Sequence, residues 1–457
     1  MPLSFDGQKI LILGAGVTGN AVARSLTKRG AVITIADENQ SAKSDYNIVD
    51  TEKVSIKDYD SVVVSPGWRQ DHRLIVHAQK SGIELLNEVD LAWHIRSDIA
   101  PKQKWLALTG TNGKTTTVEM VAAMLVSGGL NAAACGNVGD TVIEAVDRAT
   151  PFDVLVLELS SFQLHWSTQA QFVSSAILNI ADDHIDWHGS FEEYAKAKLT
   201  ILDRTSTAIL NADDGAIVLR TNHWQGKKVF YSLDTPAPGE IGLVEELLVD
   251  RAFVQDPQEA EMFAELSDVK PAIPHSVSNA LAAAGLARSV GVSHADIRTA
   301  IQGFRPGRHR IETVHEADSI SWVDDSKATN PHAAAASLMS HQSNIWIAGG
   351  LAKGASMDSL VEKCAKRIKA AILIGTDRGL IEAALIKYCP DVVRILVDGD
   401  DSQSLMNNVV EAARNLATTG DRVLLAPACA SMDQFISYAD RGDRFAAAVK
   451  KVIAHEN

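Results

Sequence analysis

The sequence predicts an α/β protein with three domains, each built on an open and mostly parallel sheet. At 457 residues the chain is too long for one ordinary core. Short apolar runs alternate with helical segments along the whole length, and several runs end in glycines, as buried parallel strands do at tight turns. With 46% hydrophobic and 22% charged residues, each domain can bury a full core.

The first domain is predicted over residues 1–96. "KILIL" (Lys9 to Leu13) reads as a buried strand, "GNAVARSLTKRG" as a helix and "AVITIAD" as the next strand, which together make a βαβ unit. "SVVVSPG" and "IELLNEVDLAW" extend the alternation, and a polar stretch with a proline follows. This pattern is Rossmann-like.

A glycine fingerprint joins the first strand to the first helix. Gly14, Gly16 and Gly19 have the G-x-G-x-x-G spacing, and Asp37 ends the following strand. Glycines allow close backbone approach, and the helix N-terminus offers amides to a phosphate. The pattern leaves open a nicotinamide dinucleotide, another nucleotide or a purely structural turn.

The second domain is predicted over residues 97–305 as a P-loop ATPase-like fold with a mostly parallel sheet. Its predicted strands are "WLALTG", "DVLVLELSSFQL", "FVSSAILNI", "TAILNADD" and "KKVFYS". A mixed region around 234–274 precedes the alanine-rich helix "SVSNALAAAGLARSVG", and "FRPGRHR" (Phe304 to Arg310) reads as a hinge.

A second phosphate loop lies between "WLALTG" and the helix that starts at Lys114. It comprises Gly110, Thr111, Asn112, Gly113, Lys114, Thr115 and Thr116. Backbone amides would cradle the phosphates of ATP, Lys114 would reach the terminal ones, and the Thr115 hydroxyl would bind Mg²⁺. Leu108 stands where the common motif has its first glycine, so this loop is short. The alternative is a glycine turn with a solvated lysine.

Two further features suggest a metal near this loop. Glu158 is the one acid in the apolar run "VLVLELSS", and a buried carboxylate without a partner is costly, so a metal beside Thr115 would satisfy it. "NIADDHIDWH" then places His184 among several acids after a strand, where ligands bind in open α/β sheets. From the pattern alone His184 is a metal ligand or a structural histidine.

Lys196 and Lys198 lie two positions apart on the next helix and so point to different faces. Taken alone, both read as surface lysines, although one can point inward.

The third domain is predicted over residues 306–457 as a Rossmann-like fold. Its strands are "SISWVDDS", "NIWIAGG", "AAILIG", "VVRILV" and "DRVLLAPA", with a last helix over Asp443 to Ile453. "VDDSKATNPHA" and "APACASMDQF" follow two of them and present charged and hydrogen-bonding groups, including Asp325, Lys327 and Thr329. Ser431 is predicted near a helix start, where amides and a hydroxyl suit a carboxylate. The alternative is turn and capping chemistry.

The bulk properties exclude several classes of protein. A net charge of −14 argues against a nucleic-acid binder, and no apolar run is long enough to span a membrane. The four cysteines have no zinc-like spacing, and the N-terminus does not look like a secretion signal. A reduced protein of the cytoplasm is therefore expected, with no nucleic acid and no membrane as partner.

Taken together, the motifs resemble the Mur ligase superfamily over nearly the whole chain. The segments that carry the resemblance occur in the family's order: "GTNGKTTT", "CGNVG", "ELSSFQL", "NIADDHIDWHGS", "YAKAKL", "SNALAA", "RHRIE", "DDSKATNP" and "PACASMDQF". The short phosphate loop fits this family. "DSKATN" and "ACASMDQF" point to the members that add D-glutamate to UDP-N-acetylmuramoyl-L-alanine in peptidoglycan synthesis.

The resemblance implies ATP and two Mg²⁺ ions. Thr115 and Glu158 would hold one ion, His184 and Lys198 the second, and Lys198 would carry a carbamate. Asn279 would lie by the adenine, Arg310 by the ribose and phosphates, and Asp325 by the ribose. Together with Lys114, the ligands Glu158, His184 and Lys198 would form the catalytic set.

The resemblance also assigns the substrate residues. Val17 and Thr18 would approach the diphosphate of the sugar nucleotide, Asp37 the uracil and Asn137 the reacting carboxylate. The incoming glutamate would be surrounded by Lys327, Thr329, Lys353, Ser431 and Tyr438. The chain departs from the family at Glu38-Asn39, where a Thr-Arg pair is common, and at Tyr438, where Phe is common.

The implied reaction goes through an acyl phosphate, and a monomer is expected. Three other interpretations compete with it. A folylpolyglutamate-type ligase would not need the N-terminal glycine fingerprint, and a nucleotide-sensing protein would not need Glu158, His184 and Lys198 together. A nicotinamide dehydrogenase leaves the Lys114 loop unexplained.

Overall fold

The structure is a computed structural model that describes residues 5–39, 41–256 and 258–454. It contains three β-sheets, which confirms the predicted α/β class. The chain divides into two compact units. Unit 1 comprises the residues up to Ile180 together with Glu192–Phe304, and unit 2 comprises Ala181–Phe191 together with the residues from Arg305 onward. The domain limits after residues 96 and 305 stay a prediction.

The N-terminal sheet has five parallel strands in the order β3-β2-β1-β4-β5. Its strands are β1 (Lys9–Leu13), β2 (Val32–Asp37), β3 (Ile48–Asp50), β4 (Ser61–Val64) and β5 (Glu84–Asn87). Its helices are α1 (Val17–Thr27), α2 (Arg73–Lys80) and α3 (Glu88–Ile99). The strand order reverses direction between β1 and β4, so the crevice that such sheets use for ligands lies at the ends of these two strands.

The central sheet has nine strands in the order β14-β13-β12-β11-β10-β9-β6-β8-β7. Six of them form its parallel part: β6 (Lys104–Thr109), β7 (Ala132–Gly136), β8 (Val154–Glu158), β9 (Phe172–Ile177), β10 (Thr205–Asn211) and β11 (Lys227–Tyr231). The mixed region of the sequence forms β12 (Ile241–Val244), β13 (Leu247–Asp250) and β14 (Glu261–Glu265), which pair antiparallel with one another.

The described residues between Lys114 and Gly303 form eight α-helices: α4 (Lys114–Ser127), α5 (Val142–Val146), α6 (Ser161–Trp166), α7 (Ile185–His188), α8 (Phe191–Leu199), α9 (Gly215–Thr221), α10 (Pro274–Arg288) and α11 (His294–Gly303). The apolar side chains of α4 and α10 pack in one core with β6, β8 and β10. This core fixes the start of α4, and with it the phosphate loop, at the end of β6.

The C-terminal sheet has the order β15-β16-β20-β17-β18-β19, with β15 antiparallel to β16 and the other pairs parallel. Its strands are β15 (Glu312–Ala317), β16 (Ile320–Asp324), β17 (Asn344–Gly349), β18 (Ile368–Ile374), β19 (Val393–Leu396) and β20 (Arg422–Leu425). Its helices are α12 (Pro331–Met339), α13 (Asp358–Cys364), α14 (Arg378–Tyr388), α15 (Ser402–Leu416) and α16 (Tyr438–Ala454). An apolar core covers each face of the sheet.

Three local predictions were wrong. "DVLVLELSSFQL" is not one strand: β8 stops at Glu158, and Ser160 and Gln163 form a capping box that starts α6. The last helix begins at Tyr438 rather than Asp443. Ser431, predicted near a helix start, lies seven residues before the start of α16.

Within the described residues, no helix is both long enough and apolar enough to cross a lipid bilayer.

Candidate active site

The glycine fingerprint forms the turn between β1 and α1. Gly14 has φ +104°, and a Cβ there would lie 2.9 Å from Ser65 Oγ and from Trp68 Nε1. A Cβ on Gly19 would lie 1.9 Å from the Gly14 carbonyl oxygen, so only glycine allows this helix to pack on this strand. Gly16 makes no side-chain cap, which leaves the first amides of α1 for an anion.

The sequence-predicted residues of this turn are all at the ends of β1 and β2. Val17 and Thr18 form the first turn of α1, and Val17 is exposed. Asp37 Oδ2 accepts a hydrogen bond from the Ala15 amide at 2.7 Å, and Asp37 Oδ1 accepts one from the Asn39 amide at 2.7 Å. Asp37 therefore shapes the glycine turn as well as standing where a ligand would bind.

The phosphate loop occupies the turn between β6 and α4. Gly113 has φ +81°, and a Cβ there would lie 2.4 Å from Asn279 Oδ1, so the Asn279 side chain on α10 lies against the loop. Thr115 follows at the start of α4 with its hydroxyl free of hydrogen bonds to any described residue, and Thr116 is buried. The proximity of Asn279 to Gly113 places Asn279 beside the predicted nucleotide site.

Asn179 holds the loop from the end of β9. Its backbone oxygen accepts from the Thr111 amide at 3.0 Å and its Oδ1 accepts from the Asn112 amide at 2.7 Å. Its Nδ2 donates back to the Asn112 carbonyl at 3.1 Å. The Thr111 hydroxyl also contacts the buried Tyr194 hydroxyl at 3.0 Å. Nothing in the sequence around Asn179 indicated this role.

Two lysines converge on one carbonyl oxygen of the loop. Lys114 Nζ donates to the Gly110 oxygen at 2.8 Å and to the Thr111 oxygen at 2.9 Å. Lys198 Nζ donates to the same Gly110 oxygen at 2.9 Å and lies 4.6 Å from the centre of the Tyr194 ring. Lys198 is 1% exposed whereas the Lys196 side chain is 75% exposed, so one lysine points inward and the other into solvent.

Glu158 ends β8 and is buried. Its Oε1 accepts a hydrogen bond from Asn137 Nδ2 at 2.8 Å, while its buried Oε2 has no partner among the described residues. A buried carboxylate oxygen without a partner is unfavourable unless a cation satisfies it. The donor set, one carboxylate oxygen near the end of a phosphate loop, therefore fits a Mg²⁺ ion.

In unit 2, Asp183 connects His184 with Lys353. His184 has φ +54°, and its Nε2 lies 3.6 Å from Asp183 Oδ2. Lys353 Nζ lies 3.1 Å from Asp183 Oδ1. The segment that contains His184 thus packs with the loop after β17, a contact that sequence spacing could not indicate.

The residues predicted to bind the glutamate substrate lie on loops that follow adjacent strands of the C-terminal sheet. Lys327 and Thr329 follow β16, Ser431 follows β20 and Lys353 follows β17, and β20 pairs with both other strands. Lys327 Nζ lies 3.9 Å from the centre of the Tyr438 ring. The parallel strands therefore bring these polar groups to one edge of the sheet.

Arg441 fastens two of these loops together. It is fully buried, and its Nε donates to Ser326 Oγ at 2.9 Å, its Nη2 to the Ser326 oxygen at 2.9 Å and its Nη1 to the Cys429 oxygen at 3.2 Å. Burial lowers the pKa of Arg441 to about 10. Sequence reasoning missed Arg441, because an arginine within a helix carries no sign that it is buried.

Asp325 lies under the loop that contains Arg310. Its Oδ1 accepts from the Ile311 amide at 3.2 Å, and its Oδ2 accepts a short hydrogen bond from Ser337 Oγ. Burial raises the pKa of Asp325 to about 6, against the opposing effects of Ser337, the Ile311 amide and the Arg310 charge. The neighbouring His309 and Asp324 form a buried pair with 2.7 Å between Nδ1 and Oδ2.

In a comparison with protein families, each of the three sheets matches a different domain of one family. The Mur ligase MurD-like N-terminal domain matches residues 8–87, the Mur ligase middle domain matches residues 108–287, and the Mur ligase glutamate ligase domain matches residues 309–429.

Two of the relatives that match over nearly their whole length illustrate the similarity. UDP-N-acetylmuramoylalanine--D-glutamate ligase of Streptomyces coelicolor is 44% identical, with 99% of this chain and 100% of the relative covered. The protein of the same name from Thermobifida fusca is 46% identical, with 98% and 99% covered. Among solved structures, a pseudomurein peptide ligase type C from Methanothermus fervidus has a TM-score of 0.62 at 18% identity, covering 98% of this chain and 100% of the other, which supports the fold.

Proposed function

The chain belongs to the Mur ligase family, and from this premise we propose that it joins D-glutamate to UDP-N-acetylmuramoyl-L-alanine in an ATP-dependent step of peptidoglycan precursor synthesis. The observation that carries the proposal is the full-length identity of 44–46% to relatives that bear the name of this ligase. The geometry supports the chemistry, because the chain has the phosphate loop and the carboxylate that a phosphoryl transfer needs.

Lys114 and the phosphate loop serve the first chemical step. The γ-phosphoryl group of ATP passes to the alanyl carboxylate of the acceptor, which gives an acyl phosphate and ADP. Lys114 then leaves its loop carbonyls and neutralises charge on the transferring group, while Gly113 lets the loop backbone approach the phosphates. Bound Mg²⁺ supplies further charge neutralisation, and Thr115 and Glu158 are the residues that would hold it.

The second step forms the amide. The neutral amine of glutamate attacks the acyl carbon, the nitrogen loses one proton, and the tetrahedral intermediate collapses as the C–O bond breaks and inorganic phosphate leaves with that proton. Lys327, Thr329, Lys353, Ser431 and Tyr438 orient the glutamate, and Asn137 contacts the reacting carboxylate of the acceptor. Two cations, Lys327 and Lys353, match the two carboxylates of the amino acid.

Each of the two nucleotide-binding turns binds a different ligand. The glycine turn after β1 binds the diphosphate of the sugar nucleotide through Val17 and Thr18 and its uracil near Asp37. ATP binds the phosphate loop, with Asn279 at its base. The roles of Arg310 at the ribose and phosphates and of Asp325 at the ribose stay predictions. A folylpolyglutamate-type ligase leaves the N-terminal sheet and its glycine turn without a ligand, so we do not favour it.

We further propose that Lys198 carries a carbamate. The ammonium groups of Lys114 and Lys198 both contact the Gly110 oxygen, and two cations at one buried acceptor repel each other. If the neutral Lys198 amine attacks CO₂, a C–N bond forms, a proton leaves and an anionic oxygen ligand results. This carbamate would offer an oxygen ligand to a second Mg²⁺.

Carbon-13 NMR of the protein in ¹³C-bicarbonate tests the carbamate. A carbamate resonance that is present in the wild type and absent from the Lys198→Arg variant supports it. Identical spectra of the two proteins would contradict it.

Phosphate release and product mass test the proposed reaction. The purified protein is given ATP, Mg²⁺ and UDP-N-acetylmuramoyl-L-alanine, with D-glutamate or L-glutamate in separate reactions. We expect phosphate only when the sugar nucleotide and D-glutamate are both present, together with a product heavier by one glutamyl residue. Preference for L-glutamate would change the product, and no release with either would refute the proposal.

We also propose that the chain acts as a monomer in the cytoplasm, because all the assigned residue sets lie in one chain and the substrates are small molecules. Light scattering during gel filtration at the assay concentration, with and without substrates, tests the oligomeric state. A dimer mass under turnover conditions would contradict it.

A further inference from the structure

The short helix α5 is held at both ends by residues of the N-terminal sheet and its helices. Glu88, the first residue of α3, is 2% exposed, and its Oε1 accepts a hydrogen bond from the Ile143 amide at 2.7 Å. At the other end, Asp147 Oδ1 pairs with Arg29 Nη2 at 2.5 Å, and Asp147 Oδ2 accepts from Ser25 Oγ at 2.6 Å. Both anchors lie within unit 1, so α5 cannot shift without breaking buried polar contacts.

The loop just before α5 contacts Glu158, the carboxylate that we assign to Mg²⁺. It connects the end of β7 to Thr141, whose side chain caps α5. In this loop the Asn137 amide donates to the Glu158 backbone oxygen at 3.0 Å, and Asn137 Nδ2 donates to Glu158 Oε1 at 2.8 Å. Asn137 therefore fixes one oxygen of Glu158 and leaves Oε2 as the oxygen available to a cation.

Glu88 and Glu158 thus lie at the two ends of one short connection. From Ile143, which Glu88 binds, the chain runs back six residues to Asn137, and the loop has little freedom to adjust. The Gly136 amide donates to the Asp140 oxygen at 2.9 Å, and a Cβ on Gly136 would lie 2.6 Å from the Glu158 backbone oxygen. A displacement of α5 would therefore be passed to the Asn137 side chain.

We infer that Glu88 is a positioning residue for the ligation: by holding α5 it sets the Asn137 side chain, which orients the Glu158 carboxylate for its cation. Mutation of a residue that orients a metal ligand typically lowers metal affinity by about 10–100-fold. The inference rests on the proposed function, since it gives Glu158 the role of metal ligand. It adds a contribution of the N-terminal region that is separate from binding the sugar nucleotide.

A matched control lies on the same helix. Asp90 is also buried on α3, and its carboxylate accepts from the Thr168, Gln169 and Ala170 amides at 2.8–3.1 Å. Those amides belong to the segment after α6 rather than to the loop before α5. Glu88→Ala and Asp90→Ala therefore each remove a buried clamp, but only the first acts on the segment that carries Asn137.

Binding of Mn²⁺, a paramagnetic substitute for Mg²⁺, tests the inference without turnover. Free Mn²⁺ is measured by electron paramagnetic resonance in the presence of a nonhydrolysable ATP analogue, at a temperature where circular dichroism shows every variant folded. We expect Glu88→Ala to raise the Mn²⁺ dissociation constant by about 10-fold, as loss of an orienting partner usually does. Glu88→Gln, which keeps a carbonyl acceptor for Ile143, should raise it less, and Asp90→Ala should not change it.

The outcomes separate the two proposals. Equal Mn²⁺ affinity of the wild type and both Glu88 variants would overturn the inference and leave the proposed function standing. Equal weakening by Glu88→Ala and Asp90→Ala would also overturn it, because the effect would then be general loosening of unit 1. If Glu88→Ala does not fold, the Mn²⁺ dissociation constant of Glu88→Gln, compared with that of the wild type, decides the test alone. Failure of the wild type to bind Mn²⁺ with the analogue would refute both proposals.

Discussion

The nucleotide loop of unit 1 and the glutamate loops of unit 2 are built in opposite ways. The nucleotide loop is one contiguous stretch, Gly110 to Thr116, between a buried strand and its helix. The predicted glutamate-binding residues come from separate segments between Lys327 and Tyr438, and Arg441, on the same helix as Tyr438, joins two of these segments through Ser326 and Cys429. The phosphate loop can be recognised in the sequence from a local motif. The arrangement of the glutamate-binding loops depends on buried Arg441, which belongs to no such motif.

The largest effect should come from the local site. Lys114→Ala removes the cation that neutralises charge on the transferring phosphoryl group, and we expect kcat to fall on the order of 10³-fold. Phosphate release with saturating substrates measures it. Lys196→Ala, which removes an exposed lysine, is the control and should keep wild-type activity. A Lys114→Ala variant within a few-fold of the wild type would refute the assigned role.

The next effect should come from the distributed site. Arg441→Lys replaces three donor nitrogens, held in a planar fork, with a single nitrogen that does not reproduce all three hydrogen bonds. Each buried acceptor left without a donor costs about 1–3 kcal/mol. We expect the KM for glutamate to rise by about 10-fold, because both loops loosen. The KM for ATP should rise less than the KM for glutamate, because Arg441 contacts Ser326, next to Asp325, but no residue of the phosphate loop Gly110 to Thr116. Equal rises in both KM values would break the comparison.

A pH dependence of stability should mark unit 2. Burial raises the pKa of Asp325 from 3.8 to about 6, so the native protein holds this proton more tightly than the unfolded chain does. The free energy of unfolding should therefore fall by about 1–3 kcal/mol as the pH rises from about 4 to about 6, and the loss should be complete above that range.

Urea unfolding of the wild type and of Asp325→Asn across this range measures the difference. The variant should lack the Asp325 contribution to the fall. Ser337→Ala removes a donor to the carboxylate and should extend the fall to higher pH. Parallel curves for the wild type and Asp325→Asn would contradict the assignment.

The smallest effect should come from Tyr438. Its ring lies under Lys327 Nζ at 3.9 Å, and its hydroxyl has no hydrogen bond to a described residue. Tyr438→Phe keeps the ring and should leave the KM for glutamate near the wild-type value. Tyr438→Ala removes a cation–π contact of about 0.5–2 kcal/mol, so the KM should rise a few-fold. A large loss in Tyr438→Phe would show that the hydroxyl has a role of its own.

The same contrast between local and distributed sites explains which features of the structure could be predicted from the sequence. The α/β class, the glycine turn after β1 and the phosphate loop follow from local patterns, and so does the division of Lys196 and Lys198 between two helix faces. The burial of Lys198 at the Gly110 carbonyl, the two-sided grip of Asn179 on the phosphate loop and the contact of Asp183 with Lys353 depend on packing between distant segments. Periodicity and spacing carry no information on such packing.

The error at "DVLVLELSSFQL" has a related cause. Apolar residues continue past Glu158 into "SSFQL", so periodicity alone extends the strand. The Ser160–Gln163 capping box overrides it and starts a helix.

Asp183 and Lys353 also constrain how this chain can recombine with its relatives. The segment Ala181–Phe191 is encoded in the middle of unit 1 but packs as part of unit 2. A chimaera that exchanges only the residues after Phe304 would join one parent's Asp183 to the other parent's loop after β17. The heritable module is therefore discontinuous, and substitutions at positions 183 and 353 should be inherited together.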